Sequence, residues 1–301
     1  MKKLAILTFL FSFYFAACQR NVTTSPYEYA LLSAHVYDDD EAIPDLPDGW
    51  KPFLDFDEDE FWPTLDLPIG KYKEMADNDE WLMLGASVAA KFVTWGGYFG
   101  RAYLNEKTQQ IVIAHRGTDL DLKLNAISSD HISLALSDGK IWDLLGDIDD
   151  DFEILNGKIP TQQLEAAEYF VGEVQKEFEK QYHSKPKIIH TGHSLGAILA
   201  ELCAIKYNSK AVTFESPGSK PIAAQLPDNQ SLNLENPDIT IYNAEPNQIN
   251  TLHEHLGKVV PLYDTSKQQL LESEDEKVKS LKQHPIKELL KRFDEKTGKP
   301  K

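Results

Sequence analysis

Cysteine is nearly absent. Cys18 and Cys203 are the only two in 301 residues. Cys18 lies in an N-terminal leader and Cys203 in a predicted buried helix, so no disulfide framework and no zinc motif is encoded. Positive charge is also in short supply. Lys and Arg total 31 against 48 Asp and Glu, for a formal net charge of -17. Such a surface repels phosphate backbones and anionic membranes through long-range Coulomb forces. No basic stripe with interleaved aromatics is present, which argues against nucleic acid as a partner. The chain also lacks internal repeats, which excludes solenoids and propellers. No apolar run reaches the roughly 20 residues that a spanning helix needs.

The composition is otherwise that of a globular protein, 42% hydrophobic and 10% aromatic. The length suits one large α/β domain. The first residues stand apart. Lys2 and Lys3 precede Leu4–Ala17, an uncharged and mostly apolar run. That pattern is a secretory signal. The run ends Phe15-Ala16-Ala17-Cys18. A small pair before cysteine resembles the bacterial lipoprotein box, which implies lipidation of Cys18, with Phe15 where that box has leucine. Ordinary cleavage near Ala17 is the alternative. Residues 1–18 are therefore expected to be a leader and 19–301 a single domain. The protein is expected to be exported, either secreted or anchored to a bacterial envelope membrane through Cys18.

Hydrophobic periodicity sets out the rest. Tyr27–Val36 is expected to be a helix. Asp38–Gly70, acidic and rich in proline and aromatics, is expected to be a long ordered loop. Asp55, Asp57 and Asp59 have calcium-loop spacing, as do Asp147, Asp149 and Asp151. Glu60 and Phe152 replace the required glycine, so no metal is expected. Trp81–Phe92 is a further predicted helix. Gly96–Leu104 and Gln110–His115 are predicted to form a hairpin turning at Asn105-Glu106-Lys107. Ile111-Val112-Ile113-Ala114 is a continuous apolar run, as a strand covered on both faces requires. Thr161–Gln181 places Leu164, Ala167, Phe170, Val171, Val174 and Phe178 on one helical face. Strands at Lys187–Thr191, Ala211–Phe214 and Ile239–Tyr242 alternate with helices. Lys267–Phe293 is charged and expected to be helical, broken at Pro285. This alternation predicts an α/β fold with a doubly wound, mostly parallel sheet.

The chemical signal is Gly192-His193-Ser194-Leu195-Gly196, between a buried strand and a helix. Strand, Gly-x-Ser-x-Gly and helix together describe a nucleophile elbow of α/β-hydrolase type. The two glycines let strand and helix approach closely. The serine falls at a helix N-terminus, where N–H groups and the helix dipole favour developing negative charge. Ser194 is the expected nucleophile. Leu195, the residue after it, is expected to supply one oxyanion-hole N–H.

Three blocks carry a family resemblance. Thr191-Gly192-His193-Ser194-Leu195-Gly196-Ala197 is similar to the elbow of class 3, fungal-type lipases. Ile111–Thr118 resembles their strand ending Arg-Gly-Ser/Thr, with His115 where an aromatic is usual. Ala211-Val212-Thr213-Phe214 resembles the strand after the elbow helix. The resemblance implies Thr118 as the second oxyanion donor and carboxylic ester hydrolysis, with lipid esters among the substrates. It implies no cofactor. It also implies a lid within Asp119–Pro160, where a plain cap helix is the alternative.

The base must follow Ser194 in chain order. His284, before a C-terminal amphipathic helix, is favoured over His255; His253 is also available. The acid has three candidates. Aligning the family blocks puts Asn247 where an aspartate is usual, and asparagine carries no charge to stabilise an imidazolium. Glu215 ends a buried parallel strand, where class 3 lipases usually have glycine and where ligand-facing residues of such sheets lie. Glu245 is the third. Glu215 ranks first, and loss of the acid would instead leave a catalytically impaired, lipase-like surface protein. His193 is expected to pack beside the elbow, and Arg116 to pair with a carboxylate.

Overall fold

The computed structural model describes residues 23–37, 43–56, 98–117, 154, 156–227, 229–265 and 279–301. Seven strands form one sheet in chain order. They are β1 (Trp50–Phe56), β2 (Gly100–Asn105), β3 (Gln110–His115), β4 (Lys187–His193), β5 (Lys210–Phe214), β6 (Ile239–Asn243) and β7 (Lys258–Pro261). The first two pairings are antiparallel and the next four parallel. The hairpin turns where the sequence predicts, with Asn105 Oδ1 accepting the N–H groups of Lys107 and Thr108.

Helices cover both faces because side chains alternate across a strand. Ile111 and Ile113 pack with α2 (Thr161–Tyr182) and α3 (Leu195–Lys206), through Phe170, Val174, Ile198 and Leu202. Val112, Ala114, Val212 and Phe214 face the other way. They meet α1 (Pro26–Ala34) and the C-terminal segment, through Leu31, Leu32, Leu289 and Phe293. Each such side chain contributes roughly 1.5–3 kcal/mol by leaving water. Helix α1 starts at a full capping box. Glu28 N–H donates to Ser25 Oγ at 3.2 Å, and Ser25 N–H to the Glu28 carboxylate at 2.7 Å. Two short helices, α4 (Lys220–Ala223) and α5 (Ile286–Leu290), and two 3-10 turns, His35–Tyr37 and Asn229–Ser231, complete the named elements among the described residues.

Two strands go beyond the sequence reading. Asp38–Gly70 is not all loop, because Trp50–Phe56 forms β1. Pro52 is tolerated there because β1 is an edge strand with a register shift between Pro52 and Leu54. Asp55, the first residue of the calcium-like run, is gripped by Arg101, Nε to Oδ1 at 2.7 Å and Nη2 to Oδ2 at 3.1 Å. Strand β7 is short, mostly exposed, and lies at the other edge. In the C-terminal part, helix α5 begins after Pro285, the predicted break. Cys203 is a buried free thiol. The leader with Cys18, the predicted helix Trp81–Phe92 and the other residues of both aspartate runs lie outside the described residues, as does most of Asp119–Pro160. Among the described residues, no helix is long and apolar enough to cross a membrane.

The elbow is packed backbone to backbone. A Cβ on Gly196 would lie 2.2 Å from the His115 carbonyl oxygen, and one on Gly192 2.3 Å from that of Gly196. Gly172, inside α2, has nothing within 4 Å of its Cβ position. Gly196→Ala is therefore expected to lose about 1–3 kcal/mol or more in urea unfolding, because the end of β3 must shift. Gly172→Ala is expected to gain about 0.5–1 kcal/mol, by helix propensity alone. Equal effects of the two substitutions would contradict this packing.

Candidate active site

The carboxyl ends of the central strands carry the site. Ser194 follows β4 and is the N-cap of α3, with φ 58° and ψ −128°. This is a strained position for a serine. Its N–H donates to the Phe214 carbonyl at 3.0 Å, which ties the elbow to the end of β5. Glu215 follows β5 with φ 52°. Its N–H donates to the Tyr242 carbonyl of β6 at 2.9 Å. The left-handed φ accounts for a site that glycine could fill, and here a carboxylate occupies it.

His284 arrives from the other end of the chain. Its N–H caps a turn on Leu281 at 3.0 Å, and Pro285 then starts α5. The turn is fastened to the loop after β6. Ser280 Oγ–H donates to the Pro246 carbonyl, and Arg292 pairs with Glu245 at 2.6 Å. That ion pair occupies Glu245, the third acid candidate.

The structure brings Ser194, His284 and Glu215 into one chain of contacts. His284 Nδ1 lies 3.1 Å from Glu215 Oε2, and Nε2 lies 2.9 Å from Ser194 Oγ. A carboxylate only accepts, so Nδ1 carries the proton and Nε2 presents its lone pair to the serine hydroxyl. All three residues have no solvent exposure. Such a chain can move the serine proton onto the imidazole and hold the resulting imidazolium against a negative charge. Asn247, the rival acid, donates from Nδ2 to Glu215 Oε2 at 2.9 Å. His255 turns away, with Nε2 at 3.0 Å from the Asn250 carbonyl, and His253 donates to the Ile154 carbonyl at 2.9 Å. Leu195 opens α3, so its N–H precedes the intrahelical ladder. Thr118 lies outside the described residues, which end at Gly117 in this segment.

Tyr37, Asn250 and Glu201 were not singled out for the site by sequence, and His193 was expected only to pack beside the elbow. His193 does more than pack. Its Nε2–H donates to the His284 carbonyl at 2.8 Å, and Nδ1 takes the Tyr37 hydroxyl at 3.3 Å. Tyr37 in turn accepts the Gly117 N–H at 3.1 Å. The end of β3, the turn after α1 and the backbone of His284 are thus linked. Burial, with the His284 ring beside it, holds His193 well below the ordinary histidine range. Asn250 donates to Glu215 Oε2 at 3.0 Å. Glu201 on α3 is fully buried and accepts from Thr213 at 2.7 Å and Ser219 at 2.5 Å, bracing the strand and turn around Glu215. Burial pushes the Glu201 carboxyl up. None of these contacts has a local sequence signature. Among the described residues Arg116 meets no carboxylate, and its guanidinium lies over the Phe99 ring at 4.8 Å.

His115, the departure from the family strand, belongs to a second buried group. Its Nδ1 meets the Tyr98 hydroxyl at 2.9 Å, and its Nε2 meets His190 Nδ1 at 3.1 Å. With Cys203, these residues bring three possible ligand atoms within 4.8 Å of one another. Three of the four ring nitrogens are already hydrogen-bonded, so the pair is satisfied largely without an ion. Burial, with His190 alongside, holds His115 well below the usual range, and burial pushes His190 down to about 3.

Residues 112–222 match the family described as Lipase (class 3). Over these residues the chain is similar to class 3 lipases. An uncharacterized protein of Rickettsia prowazekii, RP165, is 30% identical over 194 residues, covering 59% of this chain. The match takes in 46% of that relative, so the chain spans about half of its length. Lip2 lipase from Yarrowia lipolytica is 15% identical, with 79% of this chain and 77% of that chain covered and a TM-score of 0.39. A mutant MDLA from Penicillium cyclopium is 14% identical, with the same coverages and a TM-score of 0.41. The strand order and the elbow themselves define the α/β-hydrolase fold.

Three buried histidines contribute to the pH response of the fold. His115, His190 and His193 stay neutral in the folded protein. In the unfolded chain each takes a proton near pH 6.5. Unfolding therefore binds protons below that pH, and stability falls as pH falls. The loss is about 1.4 kcal/mol per pH unit for each histidine, approaching roughly 4 kcal/mol per unit for three. Urea unfolding at pH 7.5, 6.5 and 5.5 is expected to show a steep drop over the last interval. A flat profile would mean that these rings are protonated in the fold.

Proposed function

We propose that the protein hydrolyses carboxylic esters through an acyl-enzyme on Ser194, with lipid esters as the substrate class. The observation that carries this reading is the contact chain from Ser194 Oγ through His284 to Glu215, at an elbow within the lipase match. Ser194 Oγ attacks the ester carbonyl carbon while its proton passes to His284 Nε2. Glu215 holds the ring in the required tautomer and stabilises the imidazolium. The negative oxygen of the tetrahedral intermediate takes the Leu195 N–H and, by family resemblance, that of Thr118. As the intermediate collapses, the ester C–O bond breaks and the departing alkoxide takes the proton from His284. Water then attacks the acyl-serine, giving its proton to His284, and the carboxylic acid leaves as Ser194 Oγ regains a proton. The Glu215–His284 contact supports this reading over a catalytically impaired surface protein. Export, with lipidation at Cys18, would put the activity at a bacterial envelope; that part rests on the leader sequence alone.

Turnover of p-nitrophenyl esters is expected to fall by about 1,000-fold or more in Ser194→Ala. A fluorophosphonate is expected to label wild-type protein at Ser194 and to leave that variant unlabelled. Equal turnover by both proteins would overturn the proposal.

A further inference from the structure

Glutamate is a long tether for a charge that must sit still. Freezing its side chain gives up much of its rotamer freedom. Among the described residues backbone holds only one of its oxygens, since the Ala244 N–H donates to Oε1. The other oxygen, Oε2, is the one that faces His284 Nδ1, and two amides converge on it: Asn247 Nδ2 at 2.9 Å and Asn250 Nδ2 at 3.0 Å. Both amides are locked. Asn247 Oδ1 accepts the N–H groups of Ile249 at 2.9 Å and Asn250 at 3.0 Å. Asn250 Oδ1 accepts the Asn247 N–H at 2.9 Å. Each oxygen is thus committed to backbone donors, which turns each NH₂ toward the carboxylate. Both asparagines are buried. The carboxylate receives four donors in all.

We infer that Asn247 and Asn250 are positioning residues for ester hydrolysis. They fix Glu215 Oε2 against His284 Nδ1 without touching the substrate. The inference rests on the proposed function. Asn247, a rival for the acid by sequence, serves the acid as a donor, and Asn250 completes the grip. Both act through Glu215, so their effect depends on Glu215 being there.

A double-mutant cycle tests this. Asn247→Ala and Asn250→Ala are each expected to lower kcat for p-nitrophenyl esters about 10- to 100-fold, with KM changed less than about twofold. In a Glu215→Ala background, adding either substitution is expected to change the residual rate less than about twofold, because the residue they act on is gone. A purely structural role would lower activity in both backgrounds alike. Asn250→Asp separates the donor from the turn: it keeps an oxygen for the Asn247 N–H but sets an acceptor against Oε2. It is expected to lower kcat at least as much as Asn250→Ala, and it decides the question if the alanine variants do not fold. Folded asparagine variants with wild-type kcat, or additive losses in the Glu215→Ala background, would overturn the inference. If Ser194→Ala abolishes turnover and Glu215→Ala leaves only a residual rate while the asparagine variants keep wild-type kcat, this inference alone fails. If Ser194→Ala retains turnover, the proposed function fails and takes this inference with it.

Discussion

A carboxylate with no access to water is the constraint around which this end of the molecule is organised. Leaving such a charge unpaired costs several kcal/mol, so its surroundings must supply donors for both oxygens. Glu215 has them from three separate stretches of chain: Ala244, the Asn247–Asn250 turn, and His284. Those stretches are joined to one another by Arg292–Glu245 and by Ser280 on Pro246. Satisfying one buried charge thereby locates the C-terminal segment relative to the sheet. That segment also closes the core over β4 and β5 through Leu289 and Phe293.

The sheet does the rest by register. Parallel pairing sets His193 beside Phe214, and Phe214 beside Tyr242. The residues that follow these strands then come out side by side, each anchored through its own N–H to the next strand. Small residues at the elbow allow β3, β4 and α3 to meet at backbone distance. On the side of α1, a string of donors from Gly117 through Tyr37 and His193 reaches the carbonyl of His284. The imidazole is held at its ring by the acid and at its backbone by this string.

The features legible in the sequence are the ones with a short range. The hairpin, the elbow and the helix face of α2 each occupy a few consecutive turns or strands, and their periodicity reports them. Glu215 stood out because a charged residue at the end of an apolar strand needs a reason. Strand β1 was hidden by Pro52, which signals a break in a central strand but is harmless at an edge. Strand β7 was hidden by its brevity and exposure, which leave little hydrophobic pattern. Tyr37 and Asn250 carry no local mark at all. Tyr37 meets a partner 156 positions away, and Asn250 sits in a turn like any other polar turn. Their roles arise only when the sheet folds, so no reading of neighbouring residues could assign them.

The backbone at Ser194 and Glu215 has a consequence for engineering. Both residues hold a positive φ that glycine would adopt without strain, at a cost of order 1–3 kcal/mol each. Heat resistance and chemistry therefore pull these two positions in opposite directions. A library sorted only for survival at high temperature would drift toward glycine at both and return robust, inert scaffolds. Sorting on released product at each round is what would keep the serine and the glutamate in place.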